Sequence, residues 1–407
     1  MSDFPPVEEQ LRVIKRGTAE VFPEEELADK LKKSRAENRP LRIKYGIDPT
    51  APDVHLGHTV PIRKLRHFQE LGHQAVLIIG DYTAMIGDPS GKDETRTRID
   101  HDDVLKKAEN YVSQFGKILD LDQLEIRFNG EWFKPMTFKD VIDLTSKITV
   151  ARMVERDDFA KRLAAGTPIS LHECLYPLMQ GYDSVMIDAD VELGGTEQTF
   201  ALLVGRDLQR DAGQEPQICI TFPILVGLDG ERRMGKSLGN YVGIAEPPEE
   251  MFGKIMSIPD KVMRDYFELV TDVPMDEVDK LLSDATHPRD AKVALAKAII
   301  TRYHDAAAAD AGAAAFDKVF RQHDVPDDMP TVTLGADDLT DGKIWIAKLL
   351  TQCGFAKSNG EARRLVAQRG VSLDGETVTD TDLDLEPKAG MVVKVGKRRF
   401  ARIELGG

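Results

Sequence analysis

Two histidines three residues apart stand in a turn that joins an apolar run to a helical pattern. The turn reads DPTAPDVHLGH, from Asp48 to His58. At a helix start, side chains at i and i+3 can face one ligand, and the free N–H groups and positive dipole end favour phosphate. Gly57 leaves the backbone open to a flat base. Nucleotide binding, a capped helix with incidental histidines and a two-histidine metal site are all open, although the metal alternative lacks a third ligand at useful spacing.

A second candidate is the Gly-flanked basic loop that runs from Arg233 to Ser237 and reads RMGKS. A loop with two cations can close over a polyphosphate and neutralise the charge that builds on a leaving pyrophosphate. A solvated basic loop is the alternative reading of the same five residues.

Apolar runs separated by helical patterns must position these two loops. The predicted strands lie within residues 41–47, 74–87, 117–130 and 217–228, and a helix is predicted over 59–72. Strands alternating with helices predict an α/β fold with a doubly wound parallel sheet of the Rossmann type. Ligands of such sheets bind at the carboxyl ends of the strands, where both loops fall.

The remaining pattern divides the chain into four parts. We predict a catalytic domain over 1–247 and a helical domain over 248–322. A stretch rich in Pro, Asp and Gly over 323–342 is predicted as a linker. Residues 343–407 form a small α+β unit, in which an amphipathic helix is followed by a hairpin with Asp-Gly at its turn.

The charge of the chain is unevenly distributed. The net charge is −15, but residues 343–407 hold 12 Lys and Arg against 8 Asp and Glu, a net of +4. An acidic body with a basic C-terminal unit suggests local contact with RNA. Because the excess is modest, a chance fluctuation is an open alternative.

Composition excludes several classes of protein. No run of about 18 apolar residues is present, and the N-terminus lacks the basic start and apolar core of a signal peptide. The cysteines at positions 174, 219 and 353 lie far apart, without metal-ligand spacing. We therefore expect reduced thiols and a cytoplasmic protein.

Taken together, the two loops resemble the paired signatures of class I aminoacyl-tRNA synthetases. The resemblance narrows at YPLMQGYD, where Tyr176, Gln180 and Asp183 lie four and three residues apart and share a helix face. This segment looks like the Tyr-x3-Gln-x2-Asp helix of tyrosyl-tRNA synthetases. GDPSGK at 87–92 and GGTEQ at 194–198 are similar to two further motifs of that family.

The resemblance implies a function and a tyrosine subsite. The expected reaction is activation of L-tyrosine by ATP to tyrosyl-adenylate, followed by transfer to tRNA(Tyr) in protein biosynthesis. Asp183 would accept a hydrogen bond from the phenol of the substrate, and the other residues would hold or line its amino end. The tyrosine-binding residues implied are Asp88, Asn129, Tyr176, Gln180, Asp183 and Gln198.

The resemblance also implies a nucleotide subsite and the groups that act on the phosphates. ATP would be the substrate together with Mg²⁺, and no tightly bound metal is expected. The implied ATP-binding residues are Gly46, Asp48, Thr50, His55, Gly57, His58, Glu197 and Lys236. The implied catalytic residues are Thr50, His55 and His58 around the phosphates, with Lys92, Arg96, Arg233 and Lys236 closing over the pyrophosphate.

The C-terminal residues 353–375 resemble an S4-type RNA-binding module. Arg363, Arg364 and Arg369 are the implied RNA contacts, since clustered arginines on a small αβ unit suit RNA phosphates. Members of the family are homodimers that bind tRNA across both subunits, so the resemblance implies a homodimer.

The chain departs from the family pattern at four positions of the site. In the second loop Arg233 replaces the usual Lys and Gly235 replaces Ser, and Glu197 replaces an Asp expected to hold the ribose. Many members have a Tyr four residues before Asp48 as a second contact to the substrate phenol. Here that position is Lys44, and Tyr45 is predicted on the opposite face of the strand.

Two other functions compete with this reading. A tryptophanyl-tRNA synthetase has a similar core, but it should lack the Tyr-x3-Gln-x2-Asp helix and usually the S4 module. A non-enzymatic RNA-binding paralogue is opposed by the intact catalytic and binding residues, which are Asp88, Asp183, His55, His58 and Lys236.

Overall fold

The apolar runs form one parallel sheet in the computed structural model of the chain. The structure describes residues 4–49, 53–88, 101–320, 329–335, 338–340, 342–396 and 399–406. The chain divides into two compact units, Met1–Gly312 and Ala313–Gly407. Among the residues so described, no helix is long and apolar enough to cross a membrane.

The strands of the first unit are β1 Glu20–Phe22, β2 Arg42–Ile47, β3 Gln74–Ile79, β4 Leu124–Phe128, β5 Val191–Gly195 and β6 Ile218–Phe222. They form a sheet of order β1-β6-β5-β2-β3-β4, in which β1 is antiparallel to β6 and the other pairs are parallel. Because the chain winds outward from β2 to β4 and then continues on the other side of β2, the strand order reverses between β2 and β5. This confirms the predicted doubly wound α/β fold and places a ligand crevice at that reversal.

The helices up to the end of the sheet are α1 Val7–Lys15, α2 Glu24–Glu37, α3 Leu56–Glu70, α4 Thr83–Ile86, α5 His101–Phe115, α6 Gly130–Phe133, α7 Phe138–Thr145, α8 Val150–Met153, α9 Asp157–Ala164, α10 Leu175–Met186 and α11 Thr199–Asp211. After β6 follow α12 Pro248–Met256, α13 Met263–Val270, α14 Met275–Leu281, α15 Pro288–Tyr303 and α16 Ala306–Phe320. The apolar run 74–87 is a strand only to Ile79, because the chain then turns into α4 through Gly80.

The core beside the crevice joins the sheet to α10. Val76 and Ile78 of β3 pack with Trp132, Phe133 and Ile187 in one buried apolar cluster. At about 25 cal/mol per Å² of apolar surface, each such side chain contributes roughly 1.5–3 kcal/mol when buried. The cluster fixes α10 and the segment after β4 against the strands that end at the site.

The second unit has a five-stranded sheet and a two-stranded sheet, with two helices packed into the same apolar core. Its elements are β7 Thr331–Leu334, β8 Ile344–Trp345, α17 Ile346–Gln352, α18 Asn359–Ala367, β9 Val371–Leu373, β10 Glu376–Thr377, β11 Asp384–Leu385, β12 Val392–Val395 and β13 Arg399–Leu405. Asp374 and Gly375 have φ of +47° and +89°, which matches the predicted Asp-Gly hairpin turn between β9 and β10.

One strand lies where a linker was expected. β7 falls inside 323–342 and pairs in parallel with β13, where it forms the edge of the sheet. Its sequence, TVTL, alternates polar and apolar residues, and Leu334 is buried in the core of this unit. The Pro, Asp and Gly residues around these four hid that alternation.

Candidate active site

The side chain of Asp48 joins three elements at the carboxyl edge of the sheet. Directly after β2, its Oδ2 accepts a hydrogen bond from the Tyr176 hydroxyl of α10 at 2.9 Å. Its Oδ1 accepts one from the Thr83 hydroxyl of α4 at 2.7 Å. A Cβ at Gly80 would lie 2.1 Å from Asp48 Oδ1, so this position requires glycine. The aspartate is therefore a fixed part of the wall of the crevice.

Asp183 is a buried carboxyl at the deep end of this wall. Its side chain is 3% exposed and accepts hydrogen bonds from Trp132 Nε1 at 2.9 Å and from Asn129 Nδ2 at 3.4 Å. Burial raises the pKa of Asp183 to about 7, against the positive charge of Lys44 and the two donated hydrogen bonds. An acceptor held in this way suits a phenol hydroxyl.

Trp132 was missed by the sequence analysis. It follows Asn129 by three residues in the short helix α6, so both donors approach Asp183 from one turn. Asn129 is itself fixed, because its Oδ1 accepts the Tyr82 N–H at 2.9 Å and its Nδ2 also lies 3.1 Å from the Thr83 hydroxyl. The Asn-x-x-Trp spacing after an apolar strand is the signal that could have found it.

The position of Lys44 resolves the question of the missing tyrosine. Its side chain is fully buried, and its ammonium donates to α10 and lies 2.9 Å from Glu192 of β5. The Gln180 side-chain amide donates to the same carboxylate at 3.0 Å. Tyr45 lines the cleft on the other side of β2, as its alternation along the strand predicted.

The two signature loops line one cleft of about 510 Å³. Backbone hydrogen bonds bring them together: Leu56 N donates to Val242 O at 3.0 Å, and Ile244 N donates to Val54 O at 3.1 Å. The lining includes Tyr45, Asp53, His55, Gly57, His58, Gly194, Gly195, Glu197, Gln198, Arg233, Met234, Gly235 and Lys236. The tertiary structure thus places the side chains predicted to contact phosphate and the GGTEQ motif around the same cleft.

The two histidines stack and are electrically neutral near pH 7. The rings of His55 and His58 lie 3.8 Å apart at 19°, and the His55 backbone N–H donates to His58 Nδ1 at 3.3 Å. Burial lowers the pKa of His55 to about 3 and that of His58 to about 4, with the charge of Lys236 acting in the same direction. Within the described part of the chain, the buried His55 Nδ1 has no hydrogen-bond partner. The pair therefore offers neutral polar groups to a ligand.

The basic loop is held by Asn240. Its Oδ1 accepts the Gly235 N–H at 3.0 Å, and its Nδ2 donates to Asp229 Oδ2 at 2.9 Å and to the Arg233 carbonyl at 3.1 Å. Met234, between Arg233 and Gly235, is only 6% exposed. Asn240 thus clamps the first three residues of the loop.

Both cations of the loop border the cleft. Lys236 forms an ion pair with Asp53, and the Arg233 side chain is exposed. Burial raises the pKa of Glu197, with the charge of Asp88 adding to the effect and that of Arg233 opposing it. Gln198 accepts the N–H of its own loop, at Gly195, at 2.9 Å.

The other predicted site residues fall into three groups. One lies near the end of β2, a second group is outside the described residues, and a third is in the second unit. A Cβ at Gly46, near the end of β2, would meet no atom within 4 Å, so the space beside the backbone is open. Thr50, Lys92 and Arg96 fall outside the described residues. In the second unit, the predicted RNA contacts are exposed on and just after α18; they are Arg363, Arg364 and Arg369.

Comparison with known proteins gives consistent matches. A family model described as tRNA synthetases class I (W and Y) matches residues 36–321, and one described as the tyrosine–tRNA ligase SYY-like C-terminal domain matches 322–403. The chain is 54% identical to a tyrosine–tRNA ligase of Moorella thermoacetica over 98% of this chain and 96% of that protein. It is 53% identical to one of Carboxydothermus hydrogenoformans over 98% and 99%.

A solved structure shows the same fold. The tyrosyl-tRNA synthetase from Archaeoglobus fulgidus, complexed with L-tyrosine, superposes with a TM-score of 0.61 and 24% sequence identity. The match covers 75% of this chain and 99% of that one.

Proposed function

The chain belongs to the tyrosyl-tRNA synthetases of class I, and from that premise we propose how its residues carry out the reaction. The enzyme activates L-tyrosine with ATP to tyrosyl-adenylate and transfers the tyrosyl group to tRNA(Tyr) for protein biosynthesis. We propose the cytoplasm as its compartment, because translation consumes the charged tRNA there.

Tyrosine binds with its phenol against Asp183, and the buried carboxyl of this residue is the observation that carries the proposal. The substrate hydroxyl donates to a carboxylate that Trp132 and Asn129 already hold in place. A site built around a substrate hydroxyl rejects the analogue without it by roughly 10⁴–10⁵, a figure for which this enzyme class is itself the standard example. The amino end of tyrosine lies toward four further residues, which are Asp88, Tyr176, Gln180 and Gln198.

Activation needs no nucleophile from the protein, because the carboxylate of tyrosine is already ionised. It attacks the α-phosphate of ATP in line, and pyrophosphate leaves. Catalysis is therefore positioning and stabilisation of charge. The neutral His55 and His58, with Thr50, contact the phosphates at the start of α3. Nucleotide contacts from Gly46, Asp48, Gly57 and Glu197 complete the subsite.

The cations stabilise the leaving pyrophosphate. They are Lys92, Arg96, Arg233 and Lys236. ATP enters as its Mg²⁺ complex, so the metal belongs to the substrate. The carboxylates that could ligate a metal ion support this. Among the described residues that line the cleft they are Asp53, which is already paired with Lys236, and Glu197. The 2′-hydroxyl of the terminal adenosine of tRNA then attacks the adenylate.

Contact with tRNA is proposed for the two C-terminal parts. The division is a catalytic domain over 1–247, a helical tRNA-binding domain over 248–322, and an S4 domain that includes 343–407 and, as an edge strand of its sheet, β7. Exposed arginines on and after α18 support contact with RNA phosphates, which are Arg363, Arg364 and Arg369.

We also propose a homodimer, and exposed apolar side chains between α7 and α10 support it. Large apolar side chains are rarely left in water in such number, and a patch of them marks an interface. The residues are Phe138, Ile142, Val150, Leu163 and Leu171, of which three are at least 80% exposed. A second copy of this chain would cover them.

Sedimentation of the Phe138→Asp variant tests the dimer. The carboxylate introduced at position 138 should shift the protein to monomers. The control Leu121→Asp, at an exposed apolar position outside the patch, should leave the dimer intact. Dimers that persist in Phe138→Asp at micromolar concentration would place the interface elsewhere.

ATP–pyrophosphate exchange with tyrosine, phenylalanine and tryptophan tests the site. Exchange should occur with tyrosine, and Asp183→Asn should lower kcat/KM for tyrosine roughly 10- to 150-fold, because a hydrogen bond to a charged group contributes about 1.5–3 kcal/mol. Unchanged kinetics would mean that the phenol is bound elsewhere. Exchange only with tryptophan would contradict the substrate.

A further inference from the structure

A buried ion pair joins β2 to β5 against α10 and has no part in the reaction described so far. The side chains of Lys44 and Glu192 are 0% and 1% exposed, and Nζ lies 2.9 Å from Oε1. The parallel register of β2 and β5 places the two residues opposite each other. Two charges withdrawn from water in this way are costly unless their hydrogen bonds are complete.

The ammonium of Lys44 uses all three of its donors. It donates to Glu192 Oε1 at 2.9 Å, to the Ser184 hydroxyl at 2.8 Å and to the main-chain carbonyl of Gln180 at 2.6 Å. The last two groups belong to α10 and stand on either side of Asp183 in the sequence. Lys44 therefore holds the helical turn that carries the proposed phenol acceptor.

Glu192 extends this hold to the side chain of Gln180. Its Oε1 accepts the Gln180 amide at 3.0 Å, and its Oε2 accepts the Ser184 hydroxyl at 3.1 Å and the amide of Gln217. The carboxylate is thus saturated with donors. Gln180 and Asp183, two of the three tyrosine-binding positions on this face of α10, therefore depend on the same ion pair.

The pair also acts on Asp183 through its charges. Burial raises the pKa of Asp183, and the positive charge of Lys44 on β2 is the largest influence that lowers it. The hydrogen bonds from Trp132 and Asn129 lower it further, whereas the negative charge of Glu192 on β5 raises it. Because a hydrogen bond to an ionised acceptor is about twice as strong as a neutral one, ionisation decides how well the phenol is bound.

We propose that Lys44 is a specificity-determining positioning residue, which holds the Asp183 turn of α10 and keeps the Asp183 carboxyl ionised for the phenol of tyrosine. This inference rests on the proposed role of Asp183. A tyrosine at this position would give a second contact to the phenol. In this chain Lys44 instead strengthens the contact that Asp183 makes.

The test is the pH dependence of kcat/KM for tyrosine in ATP–pyrophosphate exchange between pH 5.5 and 8.5. This parameter reports the ionisation of the free enzyme. Activity that needs ionised Asp183 is present above its pKa and is lost as the pH falls through it, so the wild type should show an acid limb with its midpoint near pH 7. Lys44→Met should move the midpoint upward, and Glu192→Gln should move it downward.

The two variants should move the midpoint in opposite directions, and this distinguishes an electrostatic role of the ion pair from a purely structural one. For a midpoint raised by about one pH unit, the ionised fraction of Asp183 in Lys44→Met falls about fivefold below that of the wild type at pH 7 and comes within about twofold of it at pH 8.5. A loss of kcat/KM that remains at pH 8.5 measures the hold of Lys44 on the Asp183 turn. The preference for tyrosine over phenylalanine should fall and recover in parallel, because phenylalanine offers no hydroxyl. A pair that only supports the fold would lower kcat/KM at every pH in both variants, without moving the midpoint.

The midpoints of the two variants and the activity of Asp183→Asn decide the inference. An unmoved midpoint in Lys44→Met, or a shift of both variants in one direction, overturns it. If Lys44→Met does not fold, the downward shift in Glu192→Gln decides alone. If Asp183→Asn keeps full tyrosine activation, the proposed role of Asp183 itself fails; if that variant is inactive while the midpoints stay in place, only the role of Lys44 fails.

Discussion

Removal of the Asn240 side chain should slow adenylate formation without weakening tyrosine binding. In Asn240→Ala the loop loses three hydrogen bonds, one from Gly235 N and two from the amide to Asp229 and the Arg233 carbonyl. At about 0.5–1.5 kcal/mol for each hydrogen bond, the loop loses about 1.5–4.5 kcal/mol of the free energy that holds it in its conformation. The loop acts on the leaving pyrophosphate, so this energy is withdrawn from the transition state.

The expected result is a fall in kcat of roughly 10- to 2,000-fold, because each 1.36 kcal/mol corresponds to about tenfold in rate. The assay is ATP–pyrophosphate exchange, with kcat and the KM of each substrate measured separately. KM for tyrosine should stay within about twofold of the wild type, since Asn240 touches no residue of the tyrosine subsite in the described structure.

Arg232→Ala is the matched control for Asn240→Ala. The Arg232 guanidinium donates to the same Asp229 at 2.9 Å, but its side chain is 60% exposed, so its removal should change kcat by less than about threefold. Thermal unfolding of both variants would show that the fold is retained. A kcat within threefold of wild type in Asn240→Ala, or a raised KM for tyrosine with kcat intact, would refute the clamp.

Three further predictions follow from the packing, the histidines and the second unit. A Cβ in Gly181→Ala would lie 2.9 Å from a backbone nitrogen of α11, so the variant should lose about 1–3 kcal/mol of stability and a few degrees of Tm. In the control Gly253→Ala on α12 the Cβ meets no atom within 4 Å, and calorimetry should show no loss; equal Tm values in the two variants would contradict the close approach. The ¹⁵N shifts of His55 and His58 should be those of neutral rings from pH 5.5 to 8, with His58 protonated at Nε2, and a midpoint above pH 6 would contradict the effect of burial. Deletion of 335–407 should spare exchange but lower kcat/KM for tRNA charging at least about tenfold; unaffected charging would exclude RNA contact by this unit.

The local patterns of the sequence were sufficient for most of the first sheet and for the motifs. Apolar runs predicted β2, β3, β4 and β6, because the period of a strand is written in neighbouring residues. They did not predict β1, which has three residues, or β5, which runs into the GGTEQ motif. The spacing of Tyr176, Gln180 and Asp183 placed them on one helix, which the structure confirms as α10. The strand β7 escaped prediction, because four residues between turn formers give too short a pattern to stand out.

Roles could be proposed for the signature residues from the sequence, because their spacing is local. The sequence did not show which residues surround them in the fold. Which group donates to Asp183, and what holds the basic loop, depends on contacts between distant segments. Trp132 lies 51 residues from Asp183 in the chain, and Asp53 lies 183 from Lys236. No period or spacing records such pairs.

The sequence by itself determined the family, the order of the elements and the residue types that meet ATP and tyrosine. Only the tertiary structure decided what Lys44 does, because its partner Glu192 is 148 residues away and is set by the register of two parallel strands. The crossover between those strands and the packing of α10 on them fix that register. A position that looked like a missing contact in the sequence is, in the fold, a buried cation beside the carboxyl that is proposed to bind tyrosine.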